Sequence, residues 1–440
     1  MKGIPVRASC IGVGSTMPGG TAKTFVGFGF GPVQTGLFLY EARESGNFKR
    51  FVIAEVDGAL VEAVATGQGR ARINIARRDR IDRSEIAGIE IYNPRGAKGR
   101  EAIVEAVAES DEMATALPSV DFYDAGEASP ARLIAEGFSR RARGFGTIIY
   151  TAENHNRAAE ILRKAVLRYI IEEELSRVEM LNTVIGKMGG VIADGADISR
   201  LGLATLAEGL ERAVLVEEFN RILISRVDLE GYRRGIKVFV EKDDLVPFEE
   251  AKLYGHNAIH ALIAYLADWK GLETIAEAGR DASVMETARR AFVDESGAAL
   301  VKRHGGLGEE FFTEKGYRAY AEDLMERMVR PTLHDGVARV GRDHLRKLSY
   351  DDRLFGTMRL ALLYGIEPVN LARGAAAGVL SLVKRRTGAA GPMEHLPADA
   401  GDLTLVTLGK FLTSLWGPRA DKDAERLIAL TWEAAQSLLG

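Results

Sequence analysis

Four polar side chains interrupt the apolar stretch "AKLYGHNAIHALIAYLAD", which begins at Ala251: a lysine, an amide and two imidazoles, at Lys252, His256, Asn257 and His260. An α-helix turns by about 100° per residue, so we expect all four on one face. Such a face suits convergence on a ligand. The alternative is that the lysine extends to the surface and that the others cap or bridge helices.

A lysine on this face could act as the base in oxidation of an alcohol, a reaction that also needs a hydride acceptor. Its pKa would have to fall from about 10.4 to roughly 7–8. Burial and a neighbouring nicotinamide cation both lower it. Asn257 could then donate to the developing alkoxide. The helix begins favourably, because Pro247 suits its first turn and Glu249 and Glu250 suit its positive end.

A glycine-rich turn near the N-terminus indicates a dinucleotide site. In "TFVGFGFGPVQTGLFLYEA" the frame G-x-G-x-x-G falls on Gly29, Gly31 and Gln34, with Gly36 two residues later. The first glycine permits a tight turn, and the second lets the backbone approach a pyrophosphate at a helix N-terminus. Gln34 stands where a third glycine normally allows close helix–strand packing. The alternative is a glycine-rich strand end without a ligand.

The next predicted strand, "RFVIAEVD", ends with the acids Glu55 and Asp57. An acid at this position accepts hydrogen bonds from the adenosine ribose hydroxyls and repels a 2′-phosphate. The sequence therefore predicts NAD rather than NADP as the cofactor. A solvated acid behind the glycine turn is the alternative.

Two domains are expected to position these residues. Strands alternate with helices over the first part of the chain, which predicts an α/β, Rossmann-type domain with a parallel, doubly wound sheet. After about residue 235 the pattern is mostly helical. We predict an N-terminal extension at 1–23, an NAD-binding domain at 24–234 and an all-α substrate domain at 235–440, joined near "VEKDDLVP". The predicted strands include "ARINIA", "IEIYNP" and "GTIIYTAEN".

Bulk properties exclude several classes of protein. The net charge of −4 argues against a nucleic-acid partner. The single cysteine, Cys10, excludes an internal disulfide, and with seven scattered histidines it argues against a metal site. The first twenty residues lack the apolar core of a signal peptide, and no apolar run approaches the ~18 residues of a membrane span. We expect a soluble, cytoplasmic protein without a membrane partner.

Several stretches together resemble a known family. "KLYGHNAIHALIAYLA" resembles the K-x4-N-x2-H signature of the polyol-specific long-chain dehydrogenases. "DESGAALVKRHG" and "VARVGRDHLRKLSYDDRL" resemble the mannitol-1-phosphate 5-dehydrogenase branch. The resemblance extends from about Phe25 to about Val379 and suggests a monomer. It implies an NAD-dependent, metal-independent enzyme that acts on a small polyol or sugar phosphate.

The resemblance assigns roles to individual residues. It implies that Lys252 is the general base, and that Asn257 and Asn154 contact the reacting oxygen. Glu249 matches a proton-relay acid, and His260 matches a ligand of a substrate hydroxyl. It also favours Glu55 over Asp57 as the ribose acid.

A group of basic residues in the predicted helical domain is a candidate for substrate binding. The resemblance matches Arg339 and Lys347 to substrate-binding positions, and Arg342 and Arg346 lie between them. Four cations within nine residues favour a phosphate, although a solvated basic helix face is the alternative. We therefore predict interconversion of D-mannitol 1-phosphate and D-fructose 6-phosphate.

Three other functions remain open: mannitol 2-dehydrogenation, reduction of a hexuronate such as fructuronate or tagaturonate, and non-catalytic sensing of NAD. Two departures from the family leave the polyol undecided. Gln34 replaces the third glycine, and "LNTVIGKMGG" stands where the family usually has an Asp–Arg pair near the substrate.

Overall fold

The computed structural model describes residues 23–141, 146–385 and 390–440. Cys10 and residues 1–22 of the predicted extension lie outside the described residues. The described chain forms an α/β region followed by a helical region, as predicted. Among these residues no helix is both long and apolar enough to span a lipid bilayer.

The strands of the described residues form two sheets rather than one. Their bounds are β1 Lys23–Phe28, β2 Phe48–Ala54, β3 Ala71–Ala76, β4 Ile81–Ile86, β5 Ile89–Tyr92, β6 Glu112–Thr115, β7 Thr147–Thr151, β8 Val178–Val184, β9 Gly189–Ile192, β10 Ala213–Glu217, β11 Leu223–Ser225 and β12 Val240–Lys242. The central strands β1, β6 and β7 are buried almost throughout, as expected for parallel strands covered by helices on both faces.

The larger sheet has the doubly wound topology. Six parallel strands run in the order β5-β2-β1-β6-β7-β8. Counted in chain order this is 3-2-1-4-5-6, the arrangement that binds dinucleotides where the strand order reverses. That reversal falls between β1 and β6. Beyond β8, the antiparallel β11 and then β12 extend the sheet.

The predicted strand "ARINIA" does not join the parallel sheet. It forms β3 of a second, mixed sheet with the order β4-β3-β10-β9. β3 pairs antiparallel with β4 along its whole length and parallel with β10. The helix after the glycine turn packs closely on this sheet, since a Cβ added at Gly36 would lie 2.6 Å from Val216 Cγ1. Gly36 thus permits the close packing that the sequence frame assigned to position 34.

The helices of the first region flank the sheets, and those of the second build a separate core. The α-helices are α1 Tyr40–Glu44, α2 Gly58–Thr66, α3 Ala97–Ala108, α4 Pro130–Ser139, α5 Ala158–Val166, α6 Gly195–Arg200, α7 Val246–Glu250, α8 Ala258–Trp269, α9 Ile275–Ala278, α10 Ala282–Arg290, α11 Ala298–His304, α12 Glu314–Met328, α13 Val337–Gly341, α14 His344–Lys347, α15 Phe355–Leu363, α16 Val369–Lys384, α17 Leu405–Trp416 and α18 Ala424–Leu439.

Short segments of other helical types connect these elements. π-Helical segments span Gln34–Leu39, Ala251–Asn257 and Ala291–Gly297. 3-10 turns span Val120–Asp124, Glu172–Leu175, Gly305–Leu307, Glu310–Phe312, Pro331–Leu333, Gly391–His395, Ala400–Asp402 and Gly417–Arg419. The turn at Gly305 follows α11 and ends at Gly308, which has φ +73°.

The boundary between the two regions lies later than predicted. β12 belongs to the larger sheet, so the sheet continues past the predicted boundary at residue 234. The helical region then begins with α7. Its core centres on α8 and α16, which approach closely because Gly374 and Gly378 leave room for Leu262 and Tyr265.

The C-terminal helices support the segment that carries the predicted substrate-binding cations. The Trp416 indole N–H donates to the Leu348 carbonyl at 3.1 Å. The Tyr350 hydroxyl bonds to Asp421, between α17 and α18. Residues 390–440 therefore pack directly behind Lys347 rather than forming a separate appendage.

Candidate active site

A cleft of about 860 Å³ opens at the carboxyl ends of β1, β2, β6 and β7. It lies where the strand order reverses, the usual ligand site of such sheets. Residues of both regions of the chain line it, among them Gly29, Gly31, Glu55, Asp57, Arg95, Ala116, Leu117, Ala152, Gly190, Arg212, Arg339 and Arg342.

The glycine turn has the geometry of a dinucleotide cradle. Gly29 has φ +86°, and a Cβ there would lie 2.8 Å from the Ala116 carbonyl oxygen, so only glycine fits without strain. A Cβ added at Gly31 would meet no atom of the described residues within 4 Å. Its carbonyl accepts the first helical hydrogen bond, from Thr35 N–H at 2.9 Å. A pyrophosphate could therefore approach Gly31 at the start of the helix.

Gln34 does not take the predicted place at the cofactor. Its side chain is fully buried beneath β1, and neither polar end has a hydrogen-bond partner among the described residues. It does not line the cleft. The space it occupies exists because residue 27 is glycine: a Cβ there would lie 2.2 Å from Gln34 Nε2. Gln34 is thus a packing residue, and its predicted contact with the cofactor is not supported.

The two acids after β2 have different hydrogen-bond partners. Glu55 Oε1 accepts backbone N–H groups of Val56 and Asp57 at 2.7 and 2.9 Å. This fixes the carboxylate of a residue that lines the cleft. Asp57 instead caps α2 and pairs with Arg212 at 3.1 Å. Bonds from the α2 backbone, above all Leu60 N–H, lower the pKa of Asp57. Glu55 is the acid available to a ribose.

The lysine-bearing segment is a π-helix between α7 and α8, not a regular α-helix. Ala258 N–H donates to the Leu253 carbonyl, five residues earlier. Residues five apart are therefore about one turn apart, which places Asn257 closer above Lys252 than the predicted 100° per residue does. Ser296 and Thr357 hydroxyls both donate to the Tyr254 carbonyl, at 2.8 and 3.3 Å. Neighbouring helices thus hold the irregular turn in place.

Lys252 reaches across from the helical region to the sheet. Its Nζ donates to Asn154 Oδ1 at 3.3 Å, just after β7. Burial, opposed by the Glu249 carboxylate and assisted by the Arg353 cation, lowers the pKa of Lys252 to about 8. The predicted base and one predicted oxyanion amide are therefore adjacent, although they lie far apart in sequence.

Glu249 lies one turn before the lysine and is largely buried. Burial raises its pKa to about 7, assisted by Glu160 and opposed by Lys252. Its Oε2 is buried and has no hydrogen-bond partner among the described residues. A carboxyl group that titrates near neutrality beside Lys252 has the properties of the predicted proton-relay acid.

The two histidines of the helix are uncharged. Burial lowers the pKa of His260 to about 4 and that of His256 well below its usual value. His260 Nε2 lies 3.8 Å from Asp335 Oδ2, and neither atom has a hydrogen-bond partner in the described chain. His260 is thus a neutral imidazole that is able to bind a ligand, and the neighbouring Asp335 Oδ2 is free to accept a hydrogen bond from the same ligand. His256 packs behind it with ring centroids 6.2 Å apart.

The four predicted substrate cations do not converge. Arg339 pairs with Asp335 and extends toward Gly190 at the cleft. Lys347 is buried and donates to a carbonyl of α13, and burial lowers its pKa to about 8. Arg342 and Arg346 are exposed beside Asp343, at 3.9 and 3.6 Å. Position along the chain did not predict this divergence, because α13 and α14 are separated by a turn.

Arg353 is a site cation that the sequence reasoning missed. Its side chain is 11% exposed, and its Nε donates to Asp352 at 2.7 Å. Its positive charge contributes to the lowered pKa of Lys252, His260 and Lys347. The residue stands in "YDDRL", a stretch quoted for its resemblance, so the signal was present but was not used. In the described ranges no three His, Cys, Asp or Glu side chains cluster as metal ligands.

Comparisons with known proteins agree with this arrangement. Residues 244–393 match the sequence model of the mannitol dehydrogenase C-terminal domain family. A D-sorbitol dehydrogenase solved in substrate-free form has a TM-score of 0.72 at 12% identity, over 94% of this chain and 93% of that one. Pseudomonas fluorescens mannitol 2-dehydrogenase, solved as a ternary complex with NAD and D-mannitol, has a TM-score of 0.65 at 15% identity, over 95% and 92%.

The two kinds of likeness cover different parts of the molecule. The family match begins at Asp244, immediately after the last strand of the larger sheet, and includes the lysine helix and the Arg339–Arg353 segment. The structural likeness covers nearly the whole chain and, at such low identity, establishes the fold. The helical region therefore resembles the mannitol dehydrogenase C-terminal domain, and the chain shares its fold with the D-sorbitol dehydrogenase and mannitol 2-dehydrogenase structures, as the sequence predicts.

Proposed function

We propose that this chain, an NAD-dependent polyol dehydrogenase, interconverts D-mannitol 1-phosphate and D-fructose 6-phosphate. The observation that carries the enzyme class is the contact between Lys252 and Asn154 beside the central cleft. It joins a base of lowered pKa to an amide at the end of a dinucleotide-type sheet. The Pseudomonas fluorescens neighbour, a complex with NAD and D-mannitol, supports the cofactor and a polyol substrate.

The chain's own residues fit NAD at the cleft. Gly31 leaves open space at the start of a helix, where a pyrophosphate needs close approach. Glu55 presents a held carboxylate for a ribose diol. When bound, NAD supplies the hydride acceptor for alcohol oxidation.

The polar groups around Lys252 each have a separate role in the proposed reaction. Neutral Lys252 takes the hydroxyl proton as the carbonyl forms. Because Asn154 Oδ1 accepts from the lysine, its Nδ2 is left to donate to the reacting oxygen, and Asn257 offers a second amide one turn away. Neutral His260 can hold a neighbouring substrate hydroxyl. Glu249 can pass the proton from Lys252 toward solvent.

The phosphate in the proposed substrate rests on the resemblance and on two cations. Arg339 and Arg342 line the cleft, whereas Arg346 is exposed beside Asp343 and does not line it. The competing substrates are unphosphorylated polyols and hexuronates. A protein that binds NAD without turning over any of these would favour the sensor alternative.

A substrate panel with matched arginine variants tests the phosphate. We expect NADH-dependent reduction of fructose 6-phosphate to exceed that of fructose. Arg339→Ala should raise KM for fructose 6-phosphate at least about tenfold, the scale of one lost charge-assisted contact. Arg346→Ala should leave it nearly unchanged, since its side chain is exposed beside Asp343. Equal use of fructose and fructose 6-phosphate would instead support the unphosphorylated substrate.

The pH dependence of turnover follows from the lowered pKa of Lys252. Oxidation needs the neutral amine, so kcat/KM for the polyol should rise with pH and level off above about 8. Reduction needs the ammonium, so its kcat/KM should fall over the same range. Burial lowers the pKa of Lys252, Glu249 raises it and Arg353 lowers it further. Initial rates between pH 6 and 10 in both directions check it, and parallel profiles in the two directions would contradict it.

A further inference from the structure

A buried carboxylate lies directly beneath the proposed reaction site. Glu153 follows β7, is 5% exposed and immediately precedes Asn154. Its Oε1 accepts Leu117 N–H at 2.8 Å, and its Oε2 accepts the Thr115 hydroxyl at 2.8 Å. The Tyr123 hydroxyl also donates to Oε2. One side chain thus ties the end of β7 to the end of β6.

The Glu153 carboxyl group is held by hydrogen bonds rather than by a cation of the described residues. No arginine, lysine or histidine nitrogen of the described residues pairs with it, and three donors point at its two oxygens. Such a donor set satisfies an ionised carboxylate. Burial, and after it the interaction with Glu153, raises the pKa of Tyr123, so its phenol stays a donor. Burial also raises the pKa of Glu153, against the effect of these donors.

The position of Glu153 relates it to the cofactor's reactive end. Ala152 and Leu117, on either side of its hydrogen-bond network, line the central cleft. Asn154, the next residue, meets Lys252. Glu55 marks the opposite, ribose end of the cleft, at β2. If a dinucleotide lies across these strand ends, its nicotinamide must lie on the β6–β7 side, near Lys252.

We propose that Glu153 is a positioning residue that holds Asn154 against Lys252 and whose unpaired charge favours the oxidised nicotinamide. The oxidised ring is cationic and the reduced ring is neutral, so a fixed negative charge nearby stabilises only the former. The three hydrogen bonds hold the Ala152–Asn154 segment at the cleft wall. This inference rests on the proposed use of NAD.

Charge removal at constant size separates this role from simple packing. Glu153→Gln should raise the ratio of the Kd for NAD⁺ to the Kd for NADH about fivefold, the effect of losing one partly screened charge at close range. Tyr123→Phe is the matched control, because it removes one donor and keeps the charge. Its ratio should stay within about twofold of wild type. Fluorescence titration with each nucleotide measures both constants, with thermal melting as the check on folding.

The possible outcomes are distinct. Equal weakening of both nucleotides by Glu153→Gln would reduce Glu153 to a structural residue and overturn the inference alone. Wild-type protein that binds neither nucleotide would overturn the proposed function itself. Should Glu153→Gln not fold, Glu153→Asp keeps the charge and shortens the reach. We then expect a lower kcat at an unchanged binding ratio, and a shifted ratio would overturn the inference.

Discussion

The Lys252→Ala protein should bind NADH as well as wild type and lose about a thousandfold in kcat/KM, within the range that general acid–base catalysis contributes. Lys252 is the group of lowered pKa beside Asn154. Alanine leaves the amides and the imidazole of His260 in place but removes the proton acceptor. Steady-state rates in both directions and NADH titration provide the measurement.

A lysine at the end of the following helix provides the control. Lys270 ends α8, is partly exposed and bonds to Asp281 and Ser283 at 2.7 and 2.6 Å. Lys270→Ala should leave kcat/KM unchanged, even if the free energy of unfolding decreases slightly. The pH dependence near 8 should also disappear in Lys252→Ala. Normal turnover by Lys252→Ala would exclude it as the base, and comparable losses in both variants would indicate a general effect on the fold.

Gly31→Val should weaken NADH binding at least about tenfold while the protein remains folded. A Cβ at this position meets no atom within 4 Å in the part of the chain that the structure describes, and the glycine does not have positive φ. The new methyl groups would instead occupy the space that a pyrophosphate needs. Replacing a helix N-cap glycine by valine costs about 1 kcal/mol or less, which thermal melting would detect as a small shift.

Gly306→Val provides the matched control, because its Cβ is equally free and it lies in a turn away from the cleft. It should leave NADH affinity unchanged. Tight NADH binding by Gly31→Val would mean that no dinucleotide crosses this turn. Loss of folding in Gly31→Val alone would contradict the expectation that the folded protein accommodates a side chain at this position.

Residues that act through local spacing were predictable from the sequence. The turn at Gly29 and Gly31 is encoded in consecutive residues, because a positive φ and an open Cβ position are local requirements. Lys252, Asn257 and His260 were placed on one face by helical periodicity, and that face survives the change to a π-helix. Family signatures extended this to Asn154, which no spacing argument could have joined to Lys252.

Residues whose role depends on distant neighbours were not predictable. Gln34 occupies the motif position but is buried, because Gly27 on the adjacent strand makes room for it. Arg346 and Arg339 lie close in sequence yet diverge, because the chain turns between α13 and α14 and each cation meets a different aspartate. The strand β3 is not part of the parallel sheet, because it pairs with β4 and β10 in the second sheet.

The sequence by itself thus determined the two-region fold, the glycine turn and the helix that carries Lys252, since each depends on short-range geometry and composition. Only the tertiary structure decided which charges meet. It brought Asn154 to Lys252, buried Glu153 without a cation partner among the described residues and placed the charge of Arg353 near Lys252. The reason is physical: burial and electrostatic environment shift the pKa of these groups, and both arise from contacts between segments far apart in the chain.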